Sequence, residues 1–156
     1  MKSLIAAVAL LLAASTPAFA QSATKFRIAV EARTEGKNVP DGAGARLFDE
    51  VRRGLEAIGD VQVVPPEQAP RLLSIVAGAG SAPYAASALL TERYDRETLM
   101  VLGVEDDDLA VRMMALHIVN DHQMFTGADL SDIARRIVAS INTGVLARLR
   151  AIRPKQ

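Results

Sequence analysis

Residues 72–91 read LLSIVAGAGSAPYAASALLT, and this stretch decides the fold class. Leu72 to Ala77 is a short apolar run, Gly78 to Pro83 is made of turn residues, and Tyr84 to Thr91 alternates along its length. Two such runs joined by a short link predict an antiparallel hairpin. The meaning of the hairpin depends on what precedes it.

Upstream, Phe26 to Arg33 (FRIAVEAR) places Phe26, Ile28, Val30 and Ala32 on one face, and Arg27, Glu31 and Arg33 on the other. That period of two predicts a half-buried strand. Thr34 to Gly44 reads as a loop. A helix follows from Asp41 or Ala43 to Ile58. Leu47, Phe48, Val51, Leu55 and Ile58 recur at helical spacing, and Asp49, Glu50, Arg52, Arg53 and Glu56 take the wet side. Gly59 suits the residue that closes such a helix. Val61 to Val64 is then a short strand, free to lie parallel to the first and ended by Pro65-Pro66. A strand–helix–strand unit followed by a hairpin predicts an α+β fold rather than a doubly wound parallel sheet.

Downstream, Leu99 to Val104 (LMVLGV) is read as another strand. From Glu105 to Phe125, one strand over 109–125 would exceed the usual limit of about ten residues. A short helix over Leu109 to Leu116, capped by Asp106 to Asp108, followed by a strand over His117 to Phe125, is expected instead. A hairpin folded about Glu105 to Asp108 is the alternative. The last element is a long helix with Asp129 as N-cap. Its apolar stripe runs from Leu130 through Ile133, Ile137, Ile141, Val145 and Leu149 to Ile152, and Pro154 stops it. Gly144 in mid-helix predicts close packing or a bend. The sum is a two-layer α+β sandwich, a mixed and mainly antiparallel sheet with two principal helices on one face. It forms a single domain over residues 21–156.

Residues 1–20 read as a cleaved export signal. Met1-Lys2-Ser3 gives the positive start, Leu4 to Ala14 the apolar run, and Ala18-Phe19-Ala20 the small-x-small cleavage pattern. Eleven apolar residues rise only about 16 Å as a helix, against a hydrocarbon core of about 30 Å. The expected location is the periplasm or the medium, with no transmembrane segment after cleavage.

Composition then removes function classes. The chain has no cysteine, which excludes disulfides, thiol nucleophiles, thiolate zinc sites and a lipidated N-terminus. Its 18 basic residues balance 18 acidic ones, leaving no electrostatic footprint for nucleic acid. With no tryptophan and 4% aromatic residues, aromatic sugar or base platforms are disfavoured. The glycine pair in Asp41-Gly42-Ala43-Gly44-Ala45-Arg46 puts Leu47 where a dinucleotide fingerprint needs a small residue. No cofactor is expected.

The remaining chemistry gathers at His117-Ile118-Val119-Asn120-Asp121-His122. Five residues apart, the histidines diverge by about 140° on a helix and by opposite faces on a strand, so they share no metal locally. His117 and Asp121 share a face in either structure, and a His–Asp bond would orient an imidazole as in a nucleophilic triad. Asn120, Asp121 and His122 form a candidate recognition patch where an apolar stretch turns polar. Glu105 to Asp108 lacks the ligand pattern of a calcium loop, and the basic C-terminus suits the helix dipole.

A non-catalytic interaction module of the bacterial envelope is therefore the leading expectation, docking an envelope protein through an exposed sheet edge. The alternatives are a periplasmic hydrolase using His117 and Asp121, or an apolar-ligand binder lined by Met100, Met113, Met114 and Met124.

Overall fold

A computed structural model describes residues 25–36, 39–79 and 84–152. The export signal, most of the hairpin turn and Pro154 lie outside the described residues.

The chain runs β1 (Phe26–Glu35), α1 (Ala43–Glu56), β2 (Val61–Val63), a 3-10 turn (Pro66–Gln68), β3 (Arg71–Ala79) and β4 (Tyr84–Glu92). It continues through α2 (Arg96–Val101), α3 (Asp107–Met114), β5 (Ile118–Gly127) and a terminal helix. That helix comprises α4 (Leu130–Ser140), a π segment (Ile141–Leu146) and α5 (Ala147–Ile152). The strands form one sheet in the order β2-β1-β3-β4-β5.

β1 is parallel to both β2 and β3, whereas β3–β4 and β4–β5 are antiparallel. The antiparallel ladders carry nine partnered positions each, against three and eight in the parallel ones, so antiparallel pairing dominates. Hairpin β3–β4 and the parallel β1–β2 unit both follow the sequence reading.

The helix layer covers one face. Ile28 and Val30 of β1, Leu73 and Ile75 of β3, and Leu90 of β4 are buried against Leu47, Val51 and Leu55 of α1 and Ile133 and Ile137 of α4. Each large apolar side chain buried this way contributes about 1.5–3 kcal/mol. Gly54 sets the spacing of the two helices: a Cβ there would stand 2.9 Å from Val138 Cγ2, closer than such contacts occur. The N-cap is as expected, with the Asp129 carboxylate accepting from the Asp132 N–H at 2.8 Å. Gly144 falls in the π segment, and a Cβ there would meet nothing within 4 Å. Close packing at Gly144 is thus ruled out. The helix instead widens by a π turn, which keeps Ile141, Val145 and Leu146 buried.

One element departs from expectation. Residues Leu99–Val104 are not a strand; they contain the end of α2 and its cap. Gly103 adopts φ +82°, its N–H bonds to the Met100 carbonyl at 3.0 Å, and the Val104 N–H bonds to the Leu99 carbonyl at 2.9 Å. These two bonds make a Schellman closure that only a residue tolerant of positive φ can complete. A six-residue apolar run has no periodicity long enough to reveal this. Residues 105–125 follow the helix-then-strand expectation: the Asp106 carboxylate caps α3 by accepting from the Leu109 N–H at 2.7 Å, and β5 follows.

Candidate interaction site

β5 carries every residue of the expected recognition patch. Its pairing with β4 shifts register between Leu90 and Thr91: Leu90 faces Asp121 while Thr91 faces Val119. Asn120 is therefore the extra residue of a β-bulge, which turns its side chain out of the alternation. Asn120 Nδ2 donates to Glu92 Oε2 at 2.9 Å, and the other Glu92 oxygen is bonded by Arg71. Asp121 projects into the helix layer and accepts from Gln123 Nε2 at 2.7 Å, and Gln123 Oε1 accepts from the Ser140 hydroxyl. His122 projects to the opposite, helix-free face, where its Nε2 lies 2.9 Å from the Ser87 hydroxyl.

The structure does not bring His117 and Asp121 together. His117 precedes β5, and Arg93 Nε donates to its Nε2 at 2.6 Å. That nitrogen then bears no proton, which leaves Nδ1 to donate to the Thr91 hydroxyl at 3.2 Å. Neither ring nitrogen meets a carboxylate. The Ser87–His122 contact resembles the first bond of a nucleophilic dyad, yet no described group orients the second imidazole nitrogen. The methionines do not gather either. Met100 lies on α2, Met113 and Met114 on α3, and Met124 on β5, three separate elements. The described residues contain no group of three His, Asp or Glu placed to hold a metal. None of their helices is long and apolar enough to cross a membrane.

Two open grooves lie on the described surface. One, of about 380 Å³, lies between α1 and α4 and includes Gly54, Val138, Arg53 and Arg135. The other, of about 350 Å³, lies on β1 and β3 and includes Arg33, Ser74 and Val76. Neither combines a buried charged group with an enclosed volume, the combination that marks a small-molecule site.

The main-chain arrangement is more informative than any side-chain cluster. β5 is ten residues long, stands at the edge of the sheet and, among the described residues, is hydrogen-bonded to a strand on one side only. It contains no lysine, arginine or proline, and its single charge, Asp121, points inward and is satisfied. Most exposed large apolar side chains fall in the stretch of chain that leads into it. Of the ten in the described residues, eight lie between Met100 and Val119, on α2, α3, the turns that follow these two helices, and the first residues of β5. Charge reading found Asp121 and His122 but missed Ser87, Glu92 and Arg71, because their roles depend on cross-strand register.

No protein-family model matches the chain, and no curated protein matches it. Similar solved structures exist. A Xanthomonas campestris protein of the family model DUF330 has a TM-score of 0.47 at 15% identity, with 85% of this chain and 92% of that chain covered. A PelC dodecamer from Paraburkholderia phytofirmans has a TM-score of 0.42 at 16% identity, with 76% and 87% covered. Likeness at this level does not assign a function.

Proposed function

We propose that this chain is an exported, non-catalytic interaction module that accepts an extended segment of an envelope protein along β5. The observation that carries the reading is the free edge itself. Beyond the bulge at Asn120, Asp121 to Gly127 remains in unbroken register with β4, while its other side pairs with no strand among the described residues. Every second residue there turns its N–H and C=O outward, a template for strand addition. Proteins that avoid such pairing blunt the edge with proline, lysine or a very short strand. β5 uses a bulge near its start and leaves the remaining seven residues open. Asn120, Asp121 and His122 act in this reading through the backbone they hold in register, since their side chains are bonded within the fold. The sequence of residues 1–20 supports export, and the lack of a convergent nucleophile, base and metal set among the described residues supports binding over catalysis.

The test is photo-crosslinking in intact cells, with a photoreactive residue at Met124 on the β5 edge or at Gln62 on β2. The expected result is a specific adduct from position 124 and none from position 62. Equal labelling from both, or none from position 124, would contradict the reading.

A further inference from the structure

We infer that the segment received by β5 is flanked by basic residues and carries apolar anchors that settle on a shelf formed by α2 and α3. This inference rests on strand addition at β5 and specifies the chemistry of the partner.

The shelf is an apolar surface out of proportion to its size. Val101 is 83% exposed, Met100 63%, Val111 59% and Leu109 47%, while Leu99 and Ala110 are buried as its attachment. Large apolar side chains concentrated this densely outside a core mark an interaction surface. In the chain, α3 leads through Leu116 into Ile118 and Val119 of β5, both exposed. A strand paired along Asp121 to Gly127 that runs on past the bulge at Asn120 heads toward the end of β5 that follows α3.

Charge sets the rest of the partner. Between Arg96 and Arg112 the chain carries five carboxylates against those two arginines, and Glu105, Asp106, Asp107 and Asp108 are consecutive. Arg96 is bonded to Asp107, and Asp106 is engaged as the α3 cap. Glu105 and Asp108 are exposed and hold no partner among the described residues. A negative rim around an apolar surface selects a partner with apolar anchors and cationic flanks. It also repels the anionic lipid surface that an exposed apolar helix would otherwise favour.

The experiment places a photoreactive residue at Val111 on the shelf and compares it with one at Met124 on the edge. Crosslinked peptides from intact cells are identified by mass spectrometry. The same protein is expected from both positions, and the stretch attached at position 111 should combine apolar residues with lysine or arginine. Neutralising the rim with Glu105→Gln and Asp108→Asn should lower the yield at position 111 about threefold or more, an effect that added salt reproduces. The variant's circular dichroism spectrum should match that of the unaltered chain, which separates loss of charge from loss of fold. A partner captured at 124 but not at 111 would overturn the inference while leaving strand addition intact. So would a captured stretch without basic residues, a second copy of this chain at 111, or a yield indifferent to the charge change. Capture at neither position would remove both readings.

Discussion

The two edges of the sheet are built from the same backbone and finished in opposite ways. At β2 the strand lasts three residues, its continuation makes one more bond from the Val64 N–H to the Ile28 carbonyl at 3.1 Å, and Pro65-Pro66 then ends pairing. The same end is pinned from the helix layer. Arg150 of α5 donates to both oxygens of Asp60, at 2.7 and 2.8 Å, just before β2 begins. At β5 the strand lasts ten residues, with no proline and no outward charge, and exposed apolar residues of α2 and α3 precede it in the chain. Short length, proline and a side-chain clamp close one edge, and their absence opens the other. An unprotected edge invites aggregation, and the proposed function gives the open edge a partner to cover it.

The largest expected effect breaks the asymmetry by closing β5. Val119→Lys with Met124→Lys places two gatekeeper charges on exposed positions of the edge. Recovery of the captured partner should fall more than about tenfold, equivalent to roughly 1.4 kcal/mol or more. Thermal stability should stay nearly unchanged, because both sites are exposed. Gln62→Lys at the closed edge should alter neither quantity. Comparable loss from Gln62→Lys would remove the distinction between the edges.

A second prediction loosens the closed edge. Arg150→Ala removes the clamp on Asp60 and the bond to Asn142 Oδ1 at 2.9 Å. Both members of the ion pair are about one-third exposed, so the cost in urea unfolding should be modest, about 1 kcal/mol. Partner capture at β5 should be unaffected. The bond to Asp60 raises the Arg150 pKa above the ordinary arginine value, against the lowering effect of burial. A raised folded-state pKa contributes stability that is present below the unfolded value and lost as pH rises through the folded one. For arginine both values lie beyond the alkaline working range, so the cost of Arg150→Ala should be the same at pH 7 and pH 10. A cost that vanishes by pH 10 would show that the clamp is not the source.

A smaller effect sharpens the account of β5. Asn120→Ala deletes the bond from the bulge to Glu92, which is itself tied to Arg71. A loss of about 0.5–1.5 kcal/mol is expected, with faster amide exchange confined to residues 118–120. The smallest effect belongs to Ser87→Ala on the helix-free face. It should change stability by no more than about 0.5 kcal/mol, and a fluorophosphonate probe should leave Ser87 unlabelled in the native chain. Covalent labelling of Ser87 would turn the Ser87–His122 contact into an active dyad.

The sequence carried the fold where periodicity was long. Ile28 and Val30 against Arg27 and Glu31, and Leu47, Val51 and Leu55 along α1, are signals that tertiary context only reinforces. It failed at Leu99 to Val104, where six apolar residues are too few to separate a strand from a helix turn. The decisive feature there was Gly103 at a helix terminus, which becomes readable only when Asp95 to Val101 is already suspected to be helical. The candidate site was legible in position but not in chemistry. The reading singled out Asn120, Asp121 and His122, and these lie on the edge strand. Their partners, Glu92, Gln123 and Ser87, are fixed by the β4–β5 register and by the bulge, which no local pattern discloses. The free edge is a property of strand order, and strand order is not written in any single stretch of sequence.

Amide hydrogen exchange of the full chain, with and without the protein captured at β5, tests the central claim most directly, because it reports main-chain pairing. The account predicts strong new protection along Asp121 to Gly127, weaker protection over the shelf, and none at Val61 to Val63. New protection at β2, or on the helix layer with β5 unchanged, would contradict it.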